Sequence, residues 1–65
     1  MMKILVRNLD RKMTQGEIFS LFKRFGTIDS CDLVLDQVTG LSKGFGFVVM
    51  PHENEGKKAI QSLDG

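Results

Sequence analysis

Three side chains within one short stretch combine a cation with two aromatic rings. The stretch reads Lys-Gly-Phe-Gly-Phe-Val-Val-Met over residues 43–50. In an extended strand alternate side chains point to opposite faces, so Lys43, Phe45 and Phe47 share one face. Rings in such a row can stack on the flat faces of nucleic-acid bases, and the ammonium group can contact a phosphate. The alternative interpretation is an ordinary buried strand with phenylalanine in both layers.

This stretch resembles the longer signature of the RNA recognition motif (RRM) family, Lys/Arg-Gly-Phe/Tyr-Gly/Ala-Phe-Val-x-Phe/Tyr. Seven of the eight positions fit, and Met50 replaces the last aromatic residue on the core face, where methionine fills space well. Residues 4–9, Ile-Leu-Val-Arg-Asn-Leu, resemble the shorter signature of the family. Leu5 replaces an aromatic residue that the family uses for stacking. The resemblance therefore implies a base-binding surface with one weakened subsite.

Length and composition limit the classes of protein that the chain can belong to. Its 65 residues suffice for one small domain over residues 1–65, and its formal net charge is only +1. Any affinity for nucleic acid must therefore come from a local arrangement of residues. The single cysteine, Cys31, excludes an internal disulfide and a cysteine metal cluster. We see no apolar stretch of membrane-spanning length and no signal peptide, and we expect no cofactor, no metal and no membrane partner.

Two further strands are predicted. Residues 3–7 alternate so that Ile4 and Val6 face the core, and residues 28–35 place Ile28, Cys31 and Leu33 there. The segment 36–42 has turn-forming residues, Asp36 with Thr39-Gly40, and joins the second strand to the third. Cys31 is interpreted as a small buried apolar residue. Because the sequence offers no strong candidate for a general base that would activate its thiol, an enzyme is not predicted.

Two helices are also predicted. Thr14 and Glu17 form a capping box, and a helical stripe follows at Ile18, Leu21, Phe22 and Phe25. Gly26 is expected to supply a left-handed cap. Phe19 lies off this stripe and is either a rim residue packed under a loop or a protein contact. A second helix is expected over residues 53–63, with the apolar stripe Gly56, Ala59, Ile60 and Leu63, and Asp64-Gly65 marks its end.

The order strand, helix, strand, strand, helix predicts an α+β sandwich with both helices on one face of an antiparallel sheet. The resemblance implies the ferredoxin-like RRM fold, with the first and third strands adjacent. We call the helix-free face of the sheet the platform. It is expected to carry Lys3, Leu5, Arg7, Asp32, Val34, Lys43, Phe45, Phe47 and Val49.

The expected function is binding of single-stranded RNA by stacking of bases on the platform, with single-stranded DNA as an alternative ligand. Single strands are favoured because their splayed bases can reach a sheet. The residues expected to bind RNA are Lys3, Leu5, Arg7, Lys43, Phe45 and Phe47. The second hypothesis is a protein-interaction module on the same fold, in which Leu5, Val34 and Phe19 would form contact surface.

The family fold has a fourth strand, which would begin where this chain stops. The sequence therefore predicts an open edge on the first strand and an uncovered flank on the second helix. Open edges pair with other chains, so we expect a homodimer or strand exchange through the first strand. The start methionine before the first strand favours a small stand-alone protein or a chain of which this is the first domain. The Phe-Gly-Phe-Val-x-Met form resembles short single-domain bacterial members and favours a bacterial cytoplasm. A eukaryotic nuclear protein is the alternative.

Overall fold

A computed structural model describes residues 1–63, and it has the predicted order of elements. The strands are β1 (Met2–Val6), β2 (Ser30–Leu35) and β3 (Ser42–Met50), and the helices are α1 (Gln15–Lys23) and α2 (Glu53–Leu63). The sheet order is β1-β3-β2 with both pairings antiparallel. The predicted α+β, ferredoxin-like architecture and the adjacency of the first and third strands are confirmed. The predicted helix end at Asp64-Gly65 lies outside the described residues.

One face of the sheet packs against the helices and forms the core. Side chains from β1, α1, β3 and α2 make up the buried cluster, which consists of Ile4, Ile18, Phe22, Val48, Met50 and Ala59. Cys31 and Leu33 from β2 pack against this cluster, as their alternation predicts. The second strand begins at Ser30 and not at Ile28. Three residues before Ser30, the Thr27 amide donates to Glu55 Oε1 on α2 at 3.0 Å. That contact ties the chain before Ser30 to the helix layer.

The start of α1 has the first hydrogen bond of the predicted capping box, but the Glu17 side chain makes a different second one. The Glu17 amide donates to Thr14 Oγ1 at 3.2 Å, which satisfies one free amide of the first turn. Glu17 does not reach back to the Thr14 backbone. Instead its carboxylate accepts a hydrogen bond from the Thr14 hydroxyl at 3.2 Å.

The prediction of a left-handed cap at Gly26 is wrong. The helix ends with Arg24 as its C-cap in a right-handed helical conformation, and Gly26 has φ +151°. The last turn is tightened by hydrogen bonds from Phe25 to Phe22 and from Gly26 to Lys23. These short-range bonds satisfy the terminal carbonyls, so a left-handed residue is not needed to close the helix.

The second helix buries only half of its apolar stripe. Gly56 and Ala59 are buried, whereas Ile60 is 36% and Leu63 is 42% exposed. A cavity of about 420 Å³ lies between this flank and β1. Within residues 1–63, β1 pairs only with β3. The predicted uncovered flank and open edge are therefore present in the part of the chain that the structure describes.

The turn between β2 and β3 is organised by the Asp36 side chain. Its Oδ1 accepts hydrogen bonds from the Val38 amide at 2.8 Å and from the Thr39 amide at 3.0 Å. The Gly40 amide donates to the Asp36 carbonyl oxygen, and Gly40 has φ +75°. The amide hydrogen bonds from Thr39 and Val38 stabilise the charged carboxylate and hold the pKa of Asp36 below its ordinary value of 3.8.

We expect this turn to loosen in acid. Because the folded-state pKa of Asp36 is lowered, its contribution to stability is present above the unfolded pKa and is lost as the pH falls through the folded pKa. An NMR titration should therefore move the Val38 and Thr39 amide signals with a midpoint below pH 3.8. The Asp36→Asn variant should show no such transition at these amides. A midpoint at or above 3.8 would contradict the assignment.

Candidate nucleic-acid interface

The central strand β3 presents two phenylalanine rings on the platform. Phe45 and Phe47 are partly exposed, and neither belongs to the core cluster or packs against it. Their ring centroids lie 6.4 Å apart with planes at 88°. The rings therefore lie on the face opposite the core, and the alternative of a strand with phenylalanine in both layers is wrong. Because the two ring planes are nearly perpendicular, two parallel bases could stack on both rings only if one ring rotated.

The edge strand β1 brings Leu5 and Lys3 beside these rings. Leu5 is the cross-strand partner of Phe47 and is 48% exposed. Lys3 is the partner of Val49, and its Nζ lies 4.6 Å from the centroid of the Phe47 ring. This distance is that of a cation–π contact. In the free protein the Lys3 ammonium therefore covers the ring that is expected to stack.

A bulge in β3 lies between Lys43 and the two phenylalanine rings. Leu33 pairs with Gly46 and Leu35 with Ser42, so four steps along β3 match two along β2. Gly44 lies within this bulge with φ +84°, a conformation that favours glycine. The extra residues do not remove Lys43 from the platform, because Lys43 is exposed and lines the same cavity as Phe45.

That cavity is small, basic and adjacent to the rings. Its volume is about 370 Å³, and it is lined by Arg7, Asn8, Leu9, Arg11, Lys43, Gly44 and Phe45. The lining thus contains three cationic side chains and no carboxylate. Asn8 has φ +57°, and the following Leu9 amide donates to the Gly44 carbonyl at 2.9 Å. This turn fixes the end of β1 against the bulge, and Arg7 and Lys43 line the same cavity.

Sequence reasoning missed Arg11. It lies in the loop after β1, outside every strand, so side-chain alternation could not assign it to a face. The structure places it in the basic cavity with Arg7 and Lys43. The one available signal was the polar turn Asn8-Leu9-Asp10, which predicts that the chain reverses near the end of β1.

The neighbouring strand β2 contributes Asp32, as predicted, whereas the predicted platform residue Val34 lies at the register shift between Leu33 and Leu35 and has no cross-strand partner on β3. Asp32 is exposed and is the direct cross-strand partner of Phe47. Ser30, which had not been assigned to the platform, is the partner of Val49. The ring of Phe47 therefore has a carboxylate beside it on β2 and an apolar side chain beside it on β1.

Cys31 carries no reactive character in this setting. Burial and the negative charge of Asp32 raise the pKa of its thiol above 9.0, so the thiol stays protonated near neutral pH. The Sγ atom lies 3.7 Å from the Gln15 carbonyl oxygen, to which it donates a weak hydrogen bond. Cys31 thus joins β2 to α1 as a packing residue.

The described residues, 1–63, also bear on metal binding and on membrane insertion. Within that range, no group of three or more histidine, cysteine, aspartate or glutamate side chains is arranged to hold a metal ion. Neither helix of the described chain has the length and apolar character needed to cross a bilayer.

Known structures share this fold closely. A crystal structure of RNA-binding protein PG1 superimposes with a TM-score of 0.93 at 36% identity, covering 97% of this chain and 76% of that one. A Sex-lethal protein/RNA complex gives a TM-score of 0.91 at 35% identity, covering 97% of this chain and 38% of that one. The Sex-lethal RNA recognition domains 1 and 2 from Drosophila melanogaster give 0.91 and 35%, with 97% and 40% covered.

The chain thus spans about three quarters of PG1 and about two fifths of the Sex-lethal chains. In sequence, residues 4–65 match the family described as RNA recognition motif. That match takes in all the described elements except the first residues of β1. The chain belongs to the RNA recognition motif family.

Proposed function

We propose that this chain binds single-stranded RNA by stacking bases on Phe45 and Phe47. The observation that carries the proposal is the pair of neighbouring, partly exposed rings on the sheet face that the helices leave open. Aromatic stacking contributes about 1–3 kcal/mol per base and tolerates any base. A duplex keeps its base faces covered, whereas a single strand can lay them on a sheet.

The basic cavity beside Phe45 supplies the contacts to the backbone. A phosphate next to a base on Phe45 would lie within reach of Arg7, Arg11 and Lys43, which line this cavity. Each neutralised phosphate of a single strand changes the slope of log affinity against log salt by about −0.7. Three such contacts predict a slope of about −2.

The relatives support RNA as the ligand. A Sex-lethal protein/RNA complex contains the same fold at 35% identity, and PG1 is described as an RNA-binding protein. Single-stranded DNA offers the same base faces and phosphates, so weaker DNA binding is consistent with the same surface. We therefore propose a binding module and not an enzyme.

An amide NMR titration with a pool of short random single-stranded RNA, at low and moderate salt, tests the proposal. We expect shifts concentrated on the platform, above all at Lys3, Leu5, Arg7, Lys43, Phe45 and Phe47, that weaken as salt rises. A platform that stays unchanged at millimolar RNA would contradict RNA binding. Shifts confined to Leu5, Val34 and Phe19 on addition of a protein partner would then favour the interaction module.

We propose in addition that two copies pair through β1. Within residues 1–63 the outer edge of β1 has no strand beside it, and Leu63 and Ile60 on α2 are half exposed below it. An antiparallel pairing centred on Ile4 would place Lys3 opposite Leu5 of the second copy. No like charges then face each other, and the two sheets would join into one.

We expect this association to depend on the pairing of Lys3 with Leu5. The Leu5→Lys variant would place lysines opposite each other in the dimer only, and Leu5→Thr is the matched control that keeps a strand-forming residue. Sedimentation over a range of concentrations should show a dimer for the native chain and for Leu5→Thr, and a monomer for Leu5→Lys. A native chain that stays monomeric at millimolar concentration would refute the pairing.

A further inference from the structure

The Phe47 ring and the residues beside it form one base-binding position, which we call the Phe47 subsite. A negatively charged side chain lies on one side of this ring and a positively charged one on the other. Asp32 on β2 is the direct cross-strand partner of Phe47, so their Cβ atoms lie on the same face at about 4.5–5.5 Å. Asp32 is exposed, and its carboxylate can reach a ligand that lies on the ring. On the β1 side the Lys3 ammonium lies 4.6 Å from the ring centroid. A base on Phe47 would therefore lie between a hydrogen-bond acceptor and a donor.

The Lys3 ammonium must leave the ring face when a base stacks there. Its contact with Phe47 is an exposed cation–π contact, which is weak. Lys3 reaches the ring diagonally from its position opposite Val49, so a small rotation moves the ammonium to the edge of the ring. From there it can donate to an acceptor on the base that replaces it.

The four bases differ in what they offer to such a pair. Guanine has two adjacent donors on its Watson–Crick edge, N1–H and the N2 amine, and two adjacent acceptors, O6 and N7. A carboxylate only accepts, so it binds both guanine donors, whereas uracil offers it the single N3–H between two carbonyl oxygens that repel it. Adenine and cytosine each offer a carboxylate one exocyclic amine beside an acceptor nitrogen. Guanine alone gives Asp32 two adjacent donors while it also presents two adjacent acceptors to Lys3.

We propose that the Phe47 subsite prefers guanine, with Asp32 accepting from N1–H and N2 and Lys3 donating to O6 or N7. This assignment rests on the RNA binding proposed above and deepens it, because it names the base. The stacking itself does not discriminate between bases. The preference therefore depends on two residues that the family signatures do not include.

Pentaribonucleotides of the form UUXUU, with X as guanine, inosine or uracil, provide the test. Inosine lacks only the N2 amine of guanine, so it removes one of the two hydrogen bonds to Asp32. For the native chain we expect guanine to bind about fivefold more tightly than inosine and more tightly still than uracil. Chemical shifts at the Phe47 ring and the Asp32 amide locate the variable base.

Asp32→Asn is the diagnostic variant, since it keeps the side-chain volume and removes the charge. It should reduce the guanine-to-inosine ratio to about one, because a neutral amide no longer binds two donors at once. Glu53→Gln makes the same charge change on α2, on the other side of the sheet, and should leave the ratio unchanged. Lys3→Met should weaken binding of the guanine and inosine oligomers alike and leave their ratio unchanged, because inosine keeps both O6 and N7.

Each outcome separates this assignment from RNA binding itself. Equal affinity for guanine and inosine in the native chain, or an unchanged ratio in Asp32→Asn, overturns the guanine assignment. If Phe47→Ala abolishes binding but the native chain binds the guanine and inosine oligomers equally, the stacking surface stands and the role of Asp32 does not. If no pentanucleotide binds, the assignment and the RNA-binding proposal are both overturned.

Discussion

The Phe45→Ala/Phe47→Ala double variant should lose at least about 30-fold in affinity for single-stranded RNA. Two stacked bases at about 1 kcal/mol each already give this factor, and the upper end of the range would put binding beyond detection. Titration of the native and variant chains with the same RNA pool, by NMR or fluorescence anisotropy, measures the loss. Each single variant should show an intermediate loss.

The loss can be assigned to the interface because both rings lie outside the core. Phe45 and Phe47 do not pack against the buried cluster, so their removal leaves the core contacts intact. Their edge-to-face contact contributes only about 0.5–1.5 kcal/mol to the fold. The double variant should therefore stay folded, with its remaining amide spectrum close to that of the native chain.

Phe19 provides the matched control. It is also an exposed phenylalanine, 42% accessible, but it lies on α1 in the helix layer. Phe19→Ala should bind RNA with native affinity and native salt dependence. An equal loss in Phe19→Ala would mean that the effect comes from stability or from another surface. Native affinity in the double variant would remove the stacking mechanism altogether.

The platform was predictable from sequence because strand alternation fixes the face of each residue. The positions of Phe45 and Phe47 on one face, and of Val48 and Met50 on the other, follow from a period of two. The bulge at Gly44 left this prediction intact, because Lys43 still opens into the cavity beside Phe45. Alternation alone could not reveal the bulge, since a register shift depends on the partner strand.

The details of the interface depend on strand register and loop path, which the sequence does not encode locally. The contact of Lys3 with Phe47 requires that Lys3 faces Val49 across β1 and β3. The position of Asp32 beside the same ring requires a second register, between β2 and β3. Arg11 reaches the basic cavity only because the chain turns at Asn8. Each of these is a contact between distant segments.

The second large effect concerns Gly46, which lies between Phe45 and Phe47 in the sequence but faces the core. We expect Gly46→Ala to destabilise the fold by about 1–3 kcal/mol or more, the usual range for overpacking. A Cβ atom at Gly46 would collide with the carbonyl oxygen of Asp32 and lie 3.2 Å from the Leu33 Cα. Both are backbone atoms of β2, so relief requires that strand to move. A domain of this size has only about 3–10 kcal/mol to lose.

Gly16→Ala is the matched control, and its expected effect has the opposite sign. Gly16 lies in α1, and an added Cβ would meet only Thr14 Oγ1 at 3.9 Å, an ordinary contact. Alanine is favoured over glycine inside a helix by about 0.5–1 kcal/mol. Thermal unfolding should therefore show a lower midpoint for Gly46→Ala and a higher one for Gly16→Ala, by about 4–8 °C per kcal/mol.

The Gly46 variant also connects the fold to the interface. If β2 moves away from β3 to admit the added methyl group, Asp32 moves away from Phe47, while Lys3 and Leu5 on β1 keep their places beside the ring. At a temperature where the variant remains folded, stacking should persist and the preference for guanine should fall. A midpoint shift of the same sign for Gly46→Ala and Gly16→Ala would show that the close approach of β2 and β3 does not limit stability.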